Sequence, residues 1–311
     1  MPYDIFAGWG EQAAYGTAVA RAQFARVYDG SAVTHKHPGD PHTYLGRADP
    51  ETIHYGLEYG EWTLEPVPVY DGIGKLFKHA LGSVTDAGAG PYTHTHSLAD
   101  SLPANGLSIE LHKGLDPAGA ESKLITGGKI NEFAFEASVG EELKIRFGGI
   151  GQKATIVAKT ASPTYPDYDN DIVKVSQISV QIDGATTNVT GISVSLNNNL
   201  RTDRGFLGSQ YIAEPTRAGN REITGQVDKE WEDATLYNKF LSGATATLLI
   251  TCTGSGSNKL TIRCNEIVFL GDVDEELTQS EKIGQTLPFV ARHDATYGAL
   301  QIVETNGTAT T

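Results

Sequence analysis

Apolar and polar positions alternate with a period of two along much of the chain. Ile192, Val194 and Leu196 alternate with Ser193 and Ser195, Leu107, Ile109 and Leu111 alternate with polar partners, and Phe133 and Phe135 alternate with Ala134 and Glu136. Side chains of an extended strand point in turn to opposite faces, so this pattern predicts half-buried antiparallel strands. Helical spacing is clear at two places. Ile73, Leu76, Phe77 and Ala80 follow the i, i+3, i+4, i+7 rule between an N-cap at Asp71 and a stop at Gly82, which predicts a helix over 71–81. Leu236, Tyr237 and Phe240 predict a shorter one over 235–241, ending at Ser242 and Gly243. The chain reads as mainly β, with each short helix packed on a sheet.

The order of these elements repeats. Gly56 and Gly225 each stand five residues before a Glu-Trp pair, Glu61-Trp62 and Glu230-Trp231, and each strand runs on into one of the two helices. A long polar loop precedes each strand, at 30–50 and at 201–220. A strand, loop, strand, helix unit occurring twice predicts two tandem domains, 1–164 and 165–311, joined at a segment rich in proline and acidic residues, 161–170. Trp62 and Trp231 are then structural repeat positions, expected on the core side beside the helices. A second match, Asn131-Glu132 with Asn265-Glu266, has an offset of 134 where the Glu-Trp match needs 169. Both hold if the first half carries an insertion, and the candidate is 83–119, rich in Gly, Ala and His.

Composition narrows the function. A chain of 311 residues is long enough for two domains, and 35 glycines with only 20% charged residues suit strands and turns. No apolar run approaches the roughly 18 residues of a membrane span, and residues 1–20 contain neither Lys nor Arg, so no membrane segment and no secretory signal are expected. The 38 acidic against 24 basic residues give a net charge of −14, which argues against gripping nucleic acid through its phosphates. The two cysteines, Cys252 and Cys264, fit a hairpin that pairs Cys252 with Leu260 and Leu248 with Cys264. At ~3.3 Å per residue their thiols stand about 13 Å apart, beyond disulfide reach, so both are read as buried free thiols.

Candidate chemistry is sparse. Eight of the nine histidines precede residue 113, with His35, His37 and His42 in one loop and His94 and His96 at alternate positions of one strand. Two histidines on one face suit a metal, but neither a cysteine nor an acidic partner at fixed spacing accompanies them, and surface or subunit-contact histidines are the preferred reading. Glu141-Glu142 and Asp272, Asp274, Glu275, Glu276 stand at strand ends without a nucleophile motif. The run 148–153, Gly-Gly-Ile-Gly-Gln-Lys, fits neither phosphate-binding spacing and reads as a turn. No catalytic, cofactor or metal site is expected.

The segment 8–17, Gly-Trp-Gly-Glu-Gln-Ala-Ala-Tyr-Gly-Thr, resembles the opening of the tail tube proteins of long-tailed bacteriophages. Tyr92-Thr93-His94-Thr95 followed by Leu102-Pro103, the strand ending Leu196-Asn197-Asn198-Asn199-Leu200, and Ile223-Thr224-Gly225 with Leu236-Tyr237-Asn238-Lys239-Phe240-Leu241 are similar to later family segments in the same order. The resemblance implies a structural virion protein with tube-type β-sandwich or barrel domains, a helix outside each sheet. It implies stacked rings, trimeric and pseudo-sixfold for a tandem chain, around a lumen that DNA crosses without specific binding. Implied partners are copies of itself, the tape measure, tail-tip and terminator proteins, and a sheath if the tail contracts; the implied place is the virion tail, assembled in the host cytoplasm. Glu141, Glu142, Asp272, Asp274, Glu275 and Glu276 are the candidates for an acidic lumen lining. A non-tube virion protein, a carbohydrate-binding sandwich and a histidine-based metalloprotein stay open beside this reading.

Overall fold

The computed structural model describes residues 5–114, 121–271 and 284–309. In chain order the elements are β1 (Phe6–Glu11), β2 (Gln23–Ala25), β3 (Ala32–Lys36), β4 (Gly39–His42), β5 (Thr52–Tyr55), β6 (Tyr59–Leu64), α1 (Gly74–Leu81), β7 (Gly82–Ala87), β8 (Tyr92–Leu98), β9 (Leu107–His112) and β10 (Glu121–Ser138). They continue with β11 (Lys144–Gly151), β12 (Lys153–Ala158), β13 (Ile178–Ile182), β14 (Ala185–Thr186), β15 (Gly191–Asn197), β16 (Glu222–Glu230), α2 (Thr235–Ser242), β17 (Ala246–Thr253), β18 (Lys259–Phe269), β19 (Gly284–Ala291) and β20 (Gln301–Asn306). Among the described residues no helix is long and apolar enough to cross a membrane.

The strands pair antiparallel throughout. The long strand β10 serves two sheets: its first half lies between β9 and β12, and its second half between β11 and β15. Register shifts between Ile125 and Gly128 and between Ile130 and Glu132 mark the change, with Gly127 at φ 67, a conformation that favours glycine. One sheet runs β2, β1, β9, β10, β12. The other runs β3, β6, β11, β10, β15, β16, β19, β18, where it forks: β17, β13 and β14 follow on one branch and β20, β8 and β7 on the other. Among the described residues the ladder pairings form no closed circuit, so the barrel alternative is not realised there. Hairpin β4–β5 stands apart as a two-stranded arm.

The core explains the periodicities. Phe133, Phe135, Ile145, Phe147, Ile192, Val194 and Leu196 turn inward from neighbouring strands and are buried. Helix α1 packs its apolar face on this layer, as expected: Leu76, Phe77, Ala80 and Leu81 are all fully buried, and the Phe77 ring meets Phe133 and Phe147. It starts at Gly74 behind an N-cap at Ile73, three residues after the expected Asp71 cap, and the Asp71 carboxylate accepts a hydrogen bond from the Thr308 hydroxyl. Its stop is as expected, with Gly82 at φ 113 donating its N–H to the Lys78 carbonyl. Helix α2 also ends on a left-handed glycine, Gly243, and buries only Leu236.

Two expectations need correction. Strand β9 is buried on both faces, not half-buried, because residues 12–21 and 160 cover its polar side and satisfy it. Gln12 donates to Ser108, and Glu110 takes hydrogen bonds from Arg21 and from the Thr160 amide and hydroxyl. The glycine run 148–151 is strand, not turn. A Cβ at Gly149 would stand 2.1 Å from the Lys129 carbonyl oxygen and 2.5 Å from the Trp62 ring. The residue is glycine because the strand passes that close to β10 and the indole.

The cysteine hairpin has the expected register, with Cys252 opposite Leu260 and Leu248 opposite Cys264. Both thiols are free and buried, and burial pushes each up to about 12. The two halves of the chain share one buried cluster. Strand β20 joins β8 to β18, and β7, β8 and β9 of the segment 83–119 are integral to the sheets.

Candidate assembly surface

Strands β11, β10, β15, β16 and β19 lie side by side with one face in the core and one outward. Register sets the outward residues in rows: Gly148, Glu132, Asn197 and Glu222; then Arg146, Ala134, Ser195, Thr224 and Val290; then Lys144, Glu136, Ser193, Gln226 and Pro288. Asp228 pairs with Thr286, and Glu230 with Gly284, at the far end. Five carboxylates, Glu132, Glu136, Glu222, Asp228 and Glu230, thus stand against two cations, Lys144 and Arg146. The Arg146 guanidinium leans away onto Glu65, at 2.6 Å, which leaves the face net acidic. Hydroxyls and amides share the remainder with glycine, Ala134, Pro288 and Val290. The Ser195 and Thr224 hydroxyls are 2.9 Å apart, and Asp228 accepts hydrogen bonds from Gln226 at 2.7 Å and Thr286 at 2.8 Å. Such a face offers a passing polyanion no phosphate clamp.

A second feature is the arm. Every residue of β4 and β5 is exposed, and Leu45 at its tip is fully so. The loop 201–220 presents Phe206 and Leu207 in the same manner. Large apolar side chains held in water mark a contact surface. The bases of the two features are joined, since the Glu58 amide donates to the Gln210 carbonyl at 2.7 Å and the Ile212 amide to the Glu58 carbonyl at 3.1 Å. The loop is also tied to the body. Glu214 pairs with Lys129 at 2.7 Å, and Arg217 donates to the Asp100 carbonyl at 2.6 Å. Burial lowers the Lys129 pKa even though Glu214 opposes it.

Glu141 and Glu142 occupy the exposed turn between β10 and β11, at one end of the acidic face. The Tyr28 hydroxyl approaches Glu142, and burial together with that carboxylate pushes it up to about 12. Asp272, Asp274, Glu275 and Glu276 lie outside the described residues. Trp62 is buried in mid-strand with its indole against Gly149. Trp231 is half-buried one residue beyond β16, its ring 5.9 Å from Tyr237 of α2. His94 and His96 are buried, not surface or subunit-contact histidines as expected, because they face the core and find polar partners there: His94 lies 2.7 Å from Asp86 and 2.9 Å from the Thr308 carbonyl, and His96 lies 2.9 Å from Glu304.

These five acids lie on β10 and β16, with Glu222 and Glu230 at the two ends of β16, and not in the turns that the sequence points to. Glu132 and Glu136 flank Phe133 and Phe135 in the same alternation that marks the strand. The polar phase of those strands is the signal that finds them.

The family model for phage tail tube protein matches residues 60–291, about three quarters of the chain. The chain belongs to the phage tail tube protein family. No curated protein matches it. The matched residues of this tail tube protein run from β6 to β19 and so contain the whole acidic face, while the arm precedes them and β20 follows. The family is one of structural tail components.

Proposed function

We propose that copies of this tail tube protein stack as rings, trimeric with pseudo-sixfold symmetry, into the hollow tail tube through which DNA is delivered. The outward face of β11, β10, β15, β16 and β19 lines the lumen, with Glu132, Glu136, Glu222, Asp228 and Glu230 along the wall. Glu141 and Glu142 stand at its rim, and Asp272, Asp274, Glu275 and Glu276 join them. The observation that carries this reading is the pairing, in a member of this family, of a net acidic, hydroxyl-rich sheet face with an apolar-tipped arm. A like-charged wall repels phosphate and keeps DNA moving, and head-to-tail contacts that do not close along one axis build a filament. Strand β7, paired on one side to β8 among the described strands, offers main-chain groups for closing a ring.

The tandem division into 1–164 and 165–311 supplies the pseudo-sixfold repeat from three chains. Neighbours beyond the ring are the tape measure, tail-tip and terminator proteins, with a sheath if the tail contracts. Assembly takes place in the host cytoplasm, and the product resides in the virion tail.

The lumen assignment is tested with a thiol. Cys252 and Cys264 are sealed in the core, so Glu136→Cys supplies a reactive group on the acidic face. In unassembled protein both a small maleimide and a large polymer maleimide should label it. In tubes the small reagent should still react and the large one should be excluded. Equal labelling of tubes by both reagents would place the face outside.

A further inference from the structure

The base of the arm carries a group of side chains to which the proposed tube assigns no role. His35, on β3, and His37, just beyond it, stand two residues apart, and Glu58 immediately precedes the paired strand β6. Glu58 Oε1 lies 2.8 Å from His37 Nδ1, and Oε2 lies 3.3 Å from His35 Nε2. One ligand atom from each residue falls within 4.8 Å of the other two.

We propose that His35, His37 and Glu58 form a binding site for an imidazole-seeking divalent cation, zinc above all. Tetrahedral zinc takes nitrogen and carboxylate oxygen at about 2.0–2.2 Å, which places neighbouring ligand atoms roughly 3.3 Å apart. The two His–Glu separations already approximate that edge, so a small rotation of the imidazoles completes the triangle. Two neutral imidazoles and one carboxylate match the ligand preference of zinc over that of calcium or magnesium, which take oxygen. Both histidine side chains are nearly half exposed, at 43% and 48%, while the glutamate is 11% exposed. The cation therefore has an entry path and a fourth position open to water, and its negative ligand is already fixed in place.

The fixing comes from the backbone. Glu58 is hydrogen-bonded through its own amide and carbonyl to Gln210 and Ile212 of the second loop. A cation bound here would clasp the start of the arm to the strand pair β3–β6 and, through Glu58, to the loop that presents Phe206 and Leu207. The site lies ahead of the family-matched residues, so it belongs to the arm of this chain and not to the part shared with the family model.

The test is zinc binding to untagged protein, followed by isothermal calorimetry with ZnCl2 and by the visible absorption of the cobalt(II) form. One zinc per chain is expected, with the intense bands of four-coordinate cobalt. His37→Ala and Glu58→Gln should each weaken binding at least roughly 10-fold, while His54→Ala, on the arm next to His42, should leave it unchanged. Circular dichroism of each variant establishes folding, and the exposure of both histidines makes their replacement tolerable. Absence of saturable zinc binding to the folded wild-type chain would overturn the proposal, as would a His54→Ala loss equal to that of His37→Ala. Neither result bears on whether tubes form.

Discussion

His96 Nε2 lies 2.9 Å from Glu304 Oε2 with both side chains sealed from solvent. The two residues sit on adjacent strands, β8 and β20, and their contact closes the seam where the end of the chain enters the sheet of its first half. Each has a second polar atom without a hydrogen-bond partner, His96 Nδ1 and Glu304 Oε1. The pair is therefore balanced against itself, and removing one member strands the other. Glu304→Ala should lower the unfolding free energy by about 3–5 kcal/mol, measured by denaturant titration. Replacing both residues by leucine should cost less than the sum of the single changes. A neutral Glu304→Ala would mean that solvent reaches the seam.

Close packing at Gly149 gives a sharper contrast. A Cβ there meets the Lys129 carbonyl and the Trp62 ring, whereas one at the preceding Gly148 meets Glu132 Oε2 at an ordinary 3.5 Å. Gly149→Ala should destabilise by about 1–3 kcal/mol through overpacking, and Gly148→Ala should be close to neutral. Thermal melts of the two variants side by side decide it.

The strand alternation, the two helices and the cysteine hairpin were legible because each depends on a local period or on register. The burial of both β9 faces was not, since what covers Ser108 and Glu110 comes from residues 12–21 and 160, remote in sequence. The same holds for the glycine run, whose reason is the Trp62 indole across the sheet. The acidic face was partly legible. Glu132 and Glu136 could be assigned outward from the phase of β10, but joining them to Glu222 and Asp228 requires knowing that β15 lies between β10 and β16. The trio at the arm base was hidden in the same way, since Glu58 meets His35 and His37 through the pairing of β3 with β6.

Acid should weaken the fold through Glu11. The His79 imidazole, against the opposing effect of burial and with help from the Lys78 ammonium, holds this carboxyl at about 2, below its ordinary 4.5. A depressed folded pKa contributes stability that is present above 4.5 and is lost as pH falls toward 2. Burial also keeps His79 below its ordinary 6.5, so charging it on acidification acts in the same direction. Glu11→Gln should be less stable than wild type at neutral pH, and the gap should close over that acid range. Urea titrations at a series of pH values measure it; a gap independent of pH would assign the loss to packing.

Charge on the acidic face should govern how DNA moves. Replacing Glu132, Glu136 and Glu222 with lysine exchanges three repulsions for three phosphate contacts, so assembled tubes should acquire DNA binding that weakens steeply with added salt. Wild-type tubes should show none. Stability should change little, because all three side chains are exposed. Filter binding of short duplexes to sedimented tubes, at low and moderate salt, reads the difference.

The most direct measurement is cryo-electron microscopy of the purified protein with helical reconstruction. A hollow tube of stacked rings is expected, with β11, β10, β15, β16 and β19 forming its inner wall and Glu132, Glu136 and Glu222 facing the lumen. A chain that stays monomeric at every concentration, or a tube that carries those three glutamates on its outer surface, would contradict the proposed conduit.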